Sequence, residues 1–198
     1  MARTGTKGHE DGKKYFYHDI EFYENTVDAR DGRFLLEDTA NIKVYGNHLN
    51  VKEVFLWRKN QGAIIFENEI IAKDGVYLEG GENGLLLSKN TRISNNSIRT
   101  TRHGIRIVGG SSGTSITNNV FTGEKKGSGI SLYASENIEK TMVSNNTFTG
   151  YKDGIDTTSP GKHVVKGLRS IKNKFVDLRG YALFLTGNAS NVNMEQNE

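Results

Sequence analysis

Three stretches of this sequence repeat one pattern: Ile93-Ser-Asn-Asn-Ser-Ile98, Ile116-Thr-Asn-Asn-Val-Phe121 and Val143-Ser-Asn-Asn-Thr-Phe148. Each contains an apolar residue, a small polar residue, two asparagines, a variable residue and a second apolar residue. Looser copies lie on both sides of these three, and one asparagine of every copy aligns. The aligned residues are Asn25, Asn47, Asn68, Asn96, Asn119, Asn146, Asn173 and Asn197.

A second element follows each copy of the pattern. It is a short alternating stretch, often opened by glycine, as in Gly104-Ile-Arg-Ile107, Gly129-Ile-Ser-Leu132 and Gly154-Ile-Asp-Thr157. Alternation over a few residues, bounded by glycine and asparagine, is typical of strands. Because successive aligned asparagines are 21 to 28 residues apart, the period fits one coil of a solenoid. We therefore predict an all-β fold, a single-stranded parallel β-helix of about eight coils.

Stacking of coils explains why the asparagines keep their register. Equivalent residues of successive coils lie about 4.8 Å apart, so buried amides can hydrogen-bond to their copies above and below, or an asparagine can hold a left-handed turn. The apolar residues after the asparagines should form a second column: Val27, Leu49, Ile70, Ile98, Phe121, Phe148 and Phe175. We expect most of these repeated residues to be structural.

The composition agrees with many tight turns and excludes several classes of protein. The 198 residues include 23 Gly, 20 Asn, one Pro and no Cys, so disulfides, thiol nucleophiles and cysteine-based metal sites are excluded. The net charge of +3 is spread along the chain, without the concentrated basic face of a nucleic-acid binder. No apolar run approaches the roughly 20 residues that span a bilayer. We expect neither nucleic acid nor a membrane as a partner.

The sequence also predicts how the chain is divided. Residues 1–14 are polar and glycine-rich and should form a flexible arm, while residues 15–198 should form the β-helix. No capping helix precedes the first coil, and the last repeat unit is interrupted. Because an open solenoid end exposes core and strand edges, we expect ends that are incomplete or covered by partner subunits, as in a homotrimer or larger assembly.

The glycine-opened strand together with the Ile-x-Asn-Asn-x-Phe pattern resembles the right-handed parallel β-helix repeat of the pectate-lyase-like superfamily, over roughly residues 16–198. This superfamily includes pectate lyases, polygalacturonases, alginate lyases and epimerases, and phage tailspike depolymerases. The resemblance implies recognition of an acidic polysaccharide, with cleavage by a lyase or a hydrolase as one alternative. The other alternative is a non-catalytic, oligomeric module of a tailspike, virion or cell surface. Both imply an extracellular or virion location, although no secretion signal is visible near Met1.

The outward positions of the glycine-opened strand are the candidate site, because relatives in this superfamily place their substrate cleft there. The central outward column reads Leu35, Phe55, Tyr77, Arg106, Ser131, Asp156 and Phe184. Aromatic rings stack on sugars, and a cation can neutralise a sugar carboxylate. The predicted substrate-binding residues are therefore Phe55, Trp57, Tyr77, Tyr133, Lys152 and Phe184.

The candidate catalytic residues are Asp156, Asp153, Arg106 and His103. The stretch Asp153-Gly-Ile-Asp156 resembles the Asp-Gly-Ile-Asp core of the polygalacturonase active site, and two carboxylates about 6.5–9.5 Å apart would suit an inverting glycosidase. A lyase or epimerase instead needs a base and cations beside the uronate, which favours His103 and Arg106. The family's second aspartate pair is missing from the next coil, so enzyme and non-enzyme remain alternatives. No cofactor is predicted; calcium stays an alternative, because pectate lyases hold it with acidic clusters.

Overall fold

The computed structural model describes residues 17–80 and 88–198. In these residues every strand pairs in parallel, and no helix is present. The predicted arm at residues 1–14 lies outside the described residues. Each coil carries up to four short strands separated by turns, and we call their stacks faces 1 to 4, in chain order from the strand that precedes the asparagine turn.

The strands of each face are as follows. Face 1 contains Glu21–Tyr23, Lys43–Tyr45, Ile64–Phe66, Arg92–Ser94, Ser115–Thr117, Met142–Ser144, Arg169–Ile171 and Asn193–Glu195. Face 2 contains Glu69–Ala72, Ser97–Thr100, Val120–Thr122, Thr147–Thr149 and Lys174–Val176. Face 3, the glycine-opened strand, contains Val76–Glu79, Ile105–Val108, Ser128–Tyr133, Asp153–Thr158 and Leu183–Leu185. Face 4 contains Tyr17–His18, Thr39–Ala40, Ser88–Lys89, Ser111–Ser112, Ile138–Glu139, Val165–Lys166 and Ala189–Ser190.

Two longer strands connect faces 2 and 3. Thr26–Glu37 and His48–Trp57 run along both faces and join them in one 12-stranded sheet. The eight strands of face 1 pair in chain order, so they enclose seven complete turns. The predicted parallel β-helix is confirmed. Its eight asparagine turns are separated by seven complete turns of the solenoid.

The interior is a set of columns of like residues. Leu49 pairs with Ile70, Ile70 with Ile98, and Ile98 with Phe121. The Phe121 and Phe148 rings stack with centroids 4.7 Å apart, and Phe175 follows at 5.2 Å. The predicted apolar column is thus confirmed, and it forms part of one continuous buried core.

The asparagine ladder runs unbroken from Asn25 to Asn197. At its centre the side-chain amide of Asn96 donates to Asn119 Oδ1 at 2.9 Å, and the Asn96 backbone N–H donates to the same oxygen at 3.0 Å. Asn119 Nδ2 in turn donates to Asn146 Oδ1 and to the carbonyl oxygens of Ile93 and Thr117. The ladder therefore satisfies both the oxygen and the amide of a side chain that is 1% exposed.

Left-handed turns occur at the residue before each ladder asparagine. The φ angle is positive at Glu24, Gly46, Glu67, Asn95, Asn118, Asn145, Lys172 and Gln196. Both predicted roles of asparagine are therefore present in the Asn-Asn pairs, the first residue taking the turn and the second the ladder. A second column of positive φ lies between faces 4 and 1: Asp19, Asn41, Gly62, Asn90, Gly113, Lys140, Gly167 and Asn191. The repeat pattern did not predict this second column, because the backbone conformation recurs from coil to coil while the residue type varies.

The glycines that open face 3 are needed for space. A Cβ on Gly129 would lie 2.3 Å from Phe148 Cδ1, and one on Gly154 would lie 2.4 Å from Phe175 Cε1. Neither residue has a positive φ, so the requirement comes from close packing and not from backbone conformation. The aromatic column thus explains why Gly precedes Ile in these coils.

The ladder predicts a large difference between two neighbouring asparagines. Asn119→Ala removes the acceptor of two buried donors of Asn96, and unsatisfied buried donors cost about 1–3 kcal/mol each. We expect the free energy of unfolding to fall by about 3 kcal/mol in urea denaturation. The matched control is Asn118→Gly, an exposed residue with positive φ, where we expect a change within about 0.5 kcal/mol. Equal losses in the two variants would contradict a structural ladder.

Candidate functional site

The predicted outward column of face 3 is in register from coil to coil. Phe55 pairs with Tyr77, and Tyr77 with Arg106. Arg106 pairs with Ser131, Ser131 with Asp156, and Asp156 with Phe184. The flanking column continues from Trp57 through Glu79 and Val108 to Tyr133 and Thr158. The structure therefore brings most of the predicted site residues onto one strip of the surface, which we call the face 3 strip.

The aromatic rings at the start of the strip stack along the solenoid axis. The Phe55 and Tyr77 centroids are 4.9 Å apart, Arg33 Cζ lies 4.8 Å from the Phe55 centroid, and Arg106 Cζ lies 5.4 Å from the Tyr77 centroid. Each ring is thus covered by the other ring and by a guanidinium. Phe55 is only 5% exposed, so it has no open ring face for a sugar, contrary to the expectation for this residue. Tyr77 is partly exposed, and burial, reinforced by Glu79, raises its pKa to about 12.

The other aromatic side chains are more accessible. Arg58 Cζ lies 4.4 Å from the Trp57 ring, and Trp57 is partly exposed. Near the far end of the strip, Phe184 stacks on Tyr181 at 5.4 Å, with Lys152 Nζ 5.8 Å from the Phe184 ring. Tyr181 is 61% exposed; it lies just before the strand and was not among the predicted binding residues.

The middle of the strip is polar. Ser131 Oγ donates to Asp156 Oδ1 at 3.1 Å, and Arg106, Asp156 and Tyr133 are all partly exposed. His103 lies close enough to both Arg106 and Asp156 to interact with them electrostatically. Three of the four candidate catalytic residues, Asp156, Arg106 and His103, therefore occupy one neighbourhood.

Asp153 and His103 bind the backbone of the next coil. Asp153 Oδ1 accepts the Tyr181 N–H at 2.9 Å, and His103 Nδ1 accepts the Ser128 N–H at 3.1 Å. The Asp153 side chain is also buried at 3% exposure, with Lys152 Nζ 3.4 Å from Oδ2. Asp74, which also precedes a glycine, accepts the His103 N–H in the same way. Asp153 therefore caps a turn and does not share the outward surface of Asp156.

An open cavity of about 450 Å³ lies at the turn between faces 2 and 3. It is lined by residues of three successive coils: Lys73, Thr101, Arg102, His103, Lys126 and Gly127. Only His103 among them was predicted to be functional. The others lie in turns whose length changes from coil to coil, so the repeat pattern gave no signal for them.

The described part of the chain contains no group of acidic side chains suited to bind calcium. No cluster of three or more His, Asp or Glu side chains there could hold a metal ion. The described residues form no helix that is long and apolar enough to cross a membrane.

A parallel solenoid with an asparagine ladder defines a β-helix protein. The sequence profile of the family described as "Right handed beta helix region" matches residues 11–148 and, in a second overlapping match, residues 53–198. The chain belongs to this right-handed β-helix family, which confirms the fold class and is consistent with the pectate-lyase-like superfamily. No curated protein and no solved structure matched the chain.

The environment of His103 predicts a pH dependence of stability. Burial, partly opposed by Asp74 and Asp156, lowers the pKa of His103 below the usual 6.5. The imidazole therefore binds a proton more weakly in the folded chain than in the unfolded chain. The contribution of this residue to stability is therefore lost as the pH falls below about 6.5. We expect His103→Asn, which keeps an acceptor for Ser128, to flatten the fall in unfolding free energy between pH 7 and 5. An NMR titration of His103 with a midpoint above 6.5 would contradict this account.

Proposed function

We propose that this chain binds an acidic polysaccharide along the face 3 strip. The observation that carries the proposal is the pairing of Arg106, Ser131 and Asp156 in one outward column. The two opposite charges are two coils apart, about 10 Å. An extended ligand lying along the solenoid axis would therefore contact both of them, while the hydroxyl of Ser131, which is buried, donates to Asp156.

Recognition along this strip would rest mainly on charge and hydrogen bonds. The ring faces of Phe55 and Tyr77 are occupied, so these two side chains support the strip and hold the Arg106 guanidinium over Tyr77. Tyr133 and Lys152 remain as contacts for hydroxyl and carboxylate groups. Phe184 and Tyr181 form the exposed aromatic pair on which a sugar ring could stack.

Binding without cleavage is the function that the geometry supports better. Because His103 Nδ1 accepts the Ser128 N–H, the neutral imidazole carries its proton on Nε2 and has no free lone pair to act as a base. Hydrolysis of a glycosidic bond usually needs two carboxyl groups facing the substrate. Asp156 faces outward, whereas Asp153 is buried in its turn.

Affinity electrophoresis against polygalacturonate, alginate and neutral dextran tests this proposal. We expect binding of an acidic polymer and at least a tenfold loss in Arg106→Ala, because a charge-assisted hydrogen bond contributes about 1.5–3 kcal/mol. Arg99→Ala is the matched control, since Arg99 is an exposed cation of the same coil on face 2. The site assignment fails if the two variants bind equally, and the function fails if no acidic polymer binds.

The same proteins test the alternative of cleavage. Release of reducing ends, or a new absorbance of unsaturated product, by the wild type and not by Asp156→Ala would show that the strip acts on its ligand. If neither signal develops with a polymer that binds, the strip recognises its ligand without cleaving it.

A further inference from the structure

Three of the six residues that line the cavity between faces 2 and 3 are cationic. Lys73 belongs to one coil, Thr101 and Arg102 to the next, and Lys126 to the one after. No carboxylate is among its lining residues. Within residues 17–80 and 88–198, the Lys73 and Lys126 ammonium groups form no ion pair and no side-chain hydrogen bond.

The Asp74 carboxylate fixes the position of the Arg102 guanidinium. Its Nε donates to Asp74 Oδ1 at 2.8 Å and its Nη2 donates to Asp74 Oδ2. The Asp74 residue is 1% exposed, whereas 41% of the Arg102 side chain is exposed. This two-point contact uses two of the five guanidinium N–H groups, so three remain for a ligand. Since Asp74 offsets the charge of Arg102, two uncompensated positive charges remain, on Lys73 and Lys126.

A glycine brings Lys126 to this cavity. Gly127 has a φ of 57°, and a Cβ there would lie 2.3 Å from the Arg102 carbonyl oxygen. Only glycine therefore lets the chain after Lys126 pass so close to the Arg102 backbone. The convergence of the cations from three coils thus depends on packing that is specific to this turn.

We propose that this cavity binds a tetrahedral oxyanion, the sulfate or phosphate ester group of a sugar. Asp74 takes the Nε/Nη2 pair of Arg102 N–H groups, so the two Nη1 N–H groups and one Nη2 N–H group are left for a ligand. These N–H groups and the two ammonium groups belong to three successive coils, and their number suits the three terminal oxygens of such an ester better than the two oxygens of a carboxylate. The volume of about 450 Å³ is in the range of small-molecule sites and leaves room for the sugar that carries the group.

The cavity and the face 3 strip share His103. This residue lines the cavity and lies three residues before Arg106, in the turn that leads into that face 3 strand. A polysaccharide on the strip could therefore place a charged substituent in the cavity. The identity of the ligand as a polysaccharide rests on the proposed function, whereas binding of the anion itself does not.

Two measurements at 0.15 M salt test the proposal. The first compares neutral, sulfated and phosphorylated dextran for binding to the wild type, to Lys73→Gln/Lys126→Gln and to Lys89→Gln/Lys166→Gln. The last variant removes the same charge from exposed lysines on face 4. We expect at least a tenfold loss of affinity for a charged dextran in the first double variant and less than a threefold loss in the second. The charged dextran that binds more tightly identifies the ester.

The second measurement titrates inorganic sulfate and phosphate while the NMR signals of the Gly127 amide and the Arg102 Nε–H are followed. Saturable shifts that disappear in Lys73→Gln/Lys126→Gln support the anion site, whether or not a polysaccharide binds. If such shifts occur and no polysaccharide binds, the proposed function is refuted and the anion site is not. The proposal is overturned if the two double variants behave alike, or if polygalacturonate binds through these lysines more tightly than either charged dextran. Polygalacturonate binding that depends on Arg106 but not on Lys73 and Lys126, without anion shifts, would refute this inference and leave the proposed function intact.

Discussion

The hydrogen bond from one asparagine amide to the asparagine oxygen of the next coil is the contact on which the rest of this structure depends. The ladder side chains from Asn47 to Asn173 are buried, so a missed partner would leave a desolvated donor or acceptor. A slip of one residue between coils would also turn every side chain to the opposite face of its sheet. The ladder therefore determines which residues of the neighbouring strands point inward and which reach the surface.

In-register stacking has opposite consequences inside and outside the solenoid. Inside, it places Phe121, Phe148 and Phe175 on one another and forces glycine onto the facing strand. Outside, the same stacking covers the ring faces of Phe55 and Tyr77, which leaves neither ring an open face on which a sugar could stack. The accessible chemistry of the face 3 strip is consequently carried by charged groups such as Arg106 and Asp156.

The parts of the structure that repeat are the parts that could be predicted from the sequence. The asparagine ladder, the apolar column and the outward column of face 3 all follow from one period and from strand alternation. Asp153 was misplaced, because alternation puts it on the inward side with Ile155 and Thr157, whereas the resemblance of Asp153-Gly-Ile-Asp156 to an active-site motif treated both aspartates as facing a substrate. The convergence of Lys73, Arg102 and Lys126 also escaped prediction, since it depends on the path of turns that share no pattern. The repeat therefore predicts the fold. The candidate site depends instead on the positions where the repeat is broken, which the pattern does not predict.

The register of face 3 is the central claim, and disulfide trapping tests it most directly because the chain contains no cysteine. Ser131 and Asp156 are paired across neighbouring coils, which places their Cα atoms about 4.8 Å apart, within the range that a disulfide spans. Ser131 and Thr158 are offset by two residues, or about 8 Å, beyond that range. Mild oxidation should crosslink Ser131→Cys/Asp156→Cys rapidly and leave Ser131→Cys/Thr158→Cys reduced. Equal crosslinking of the two pairs, or faster crosslinking of the offset pair, would contradict the ladder-defined register.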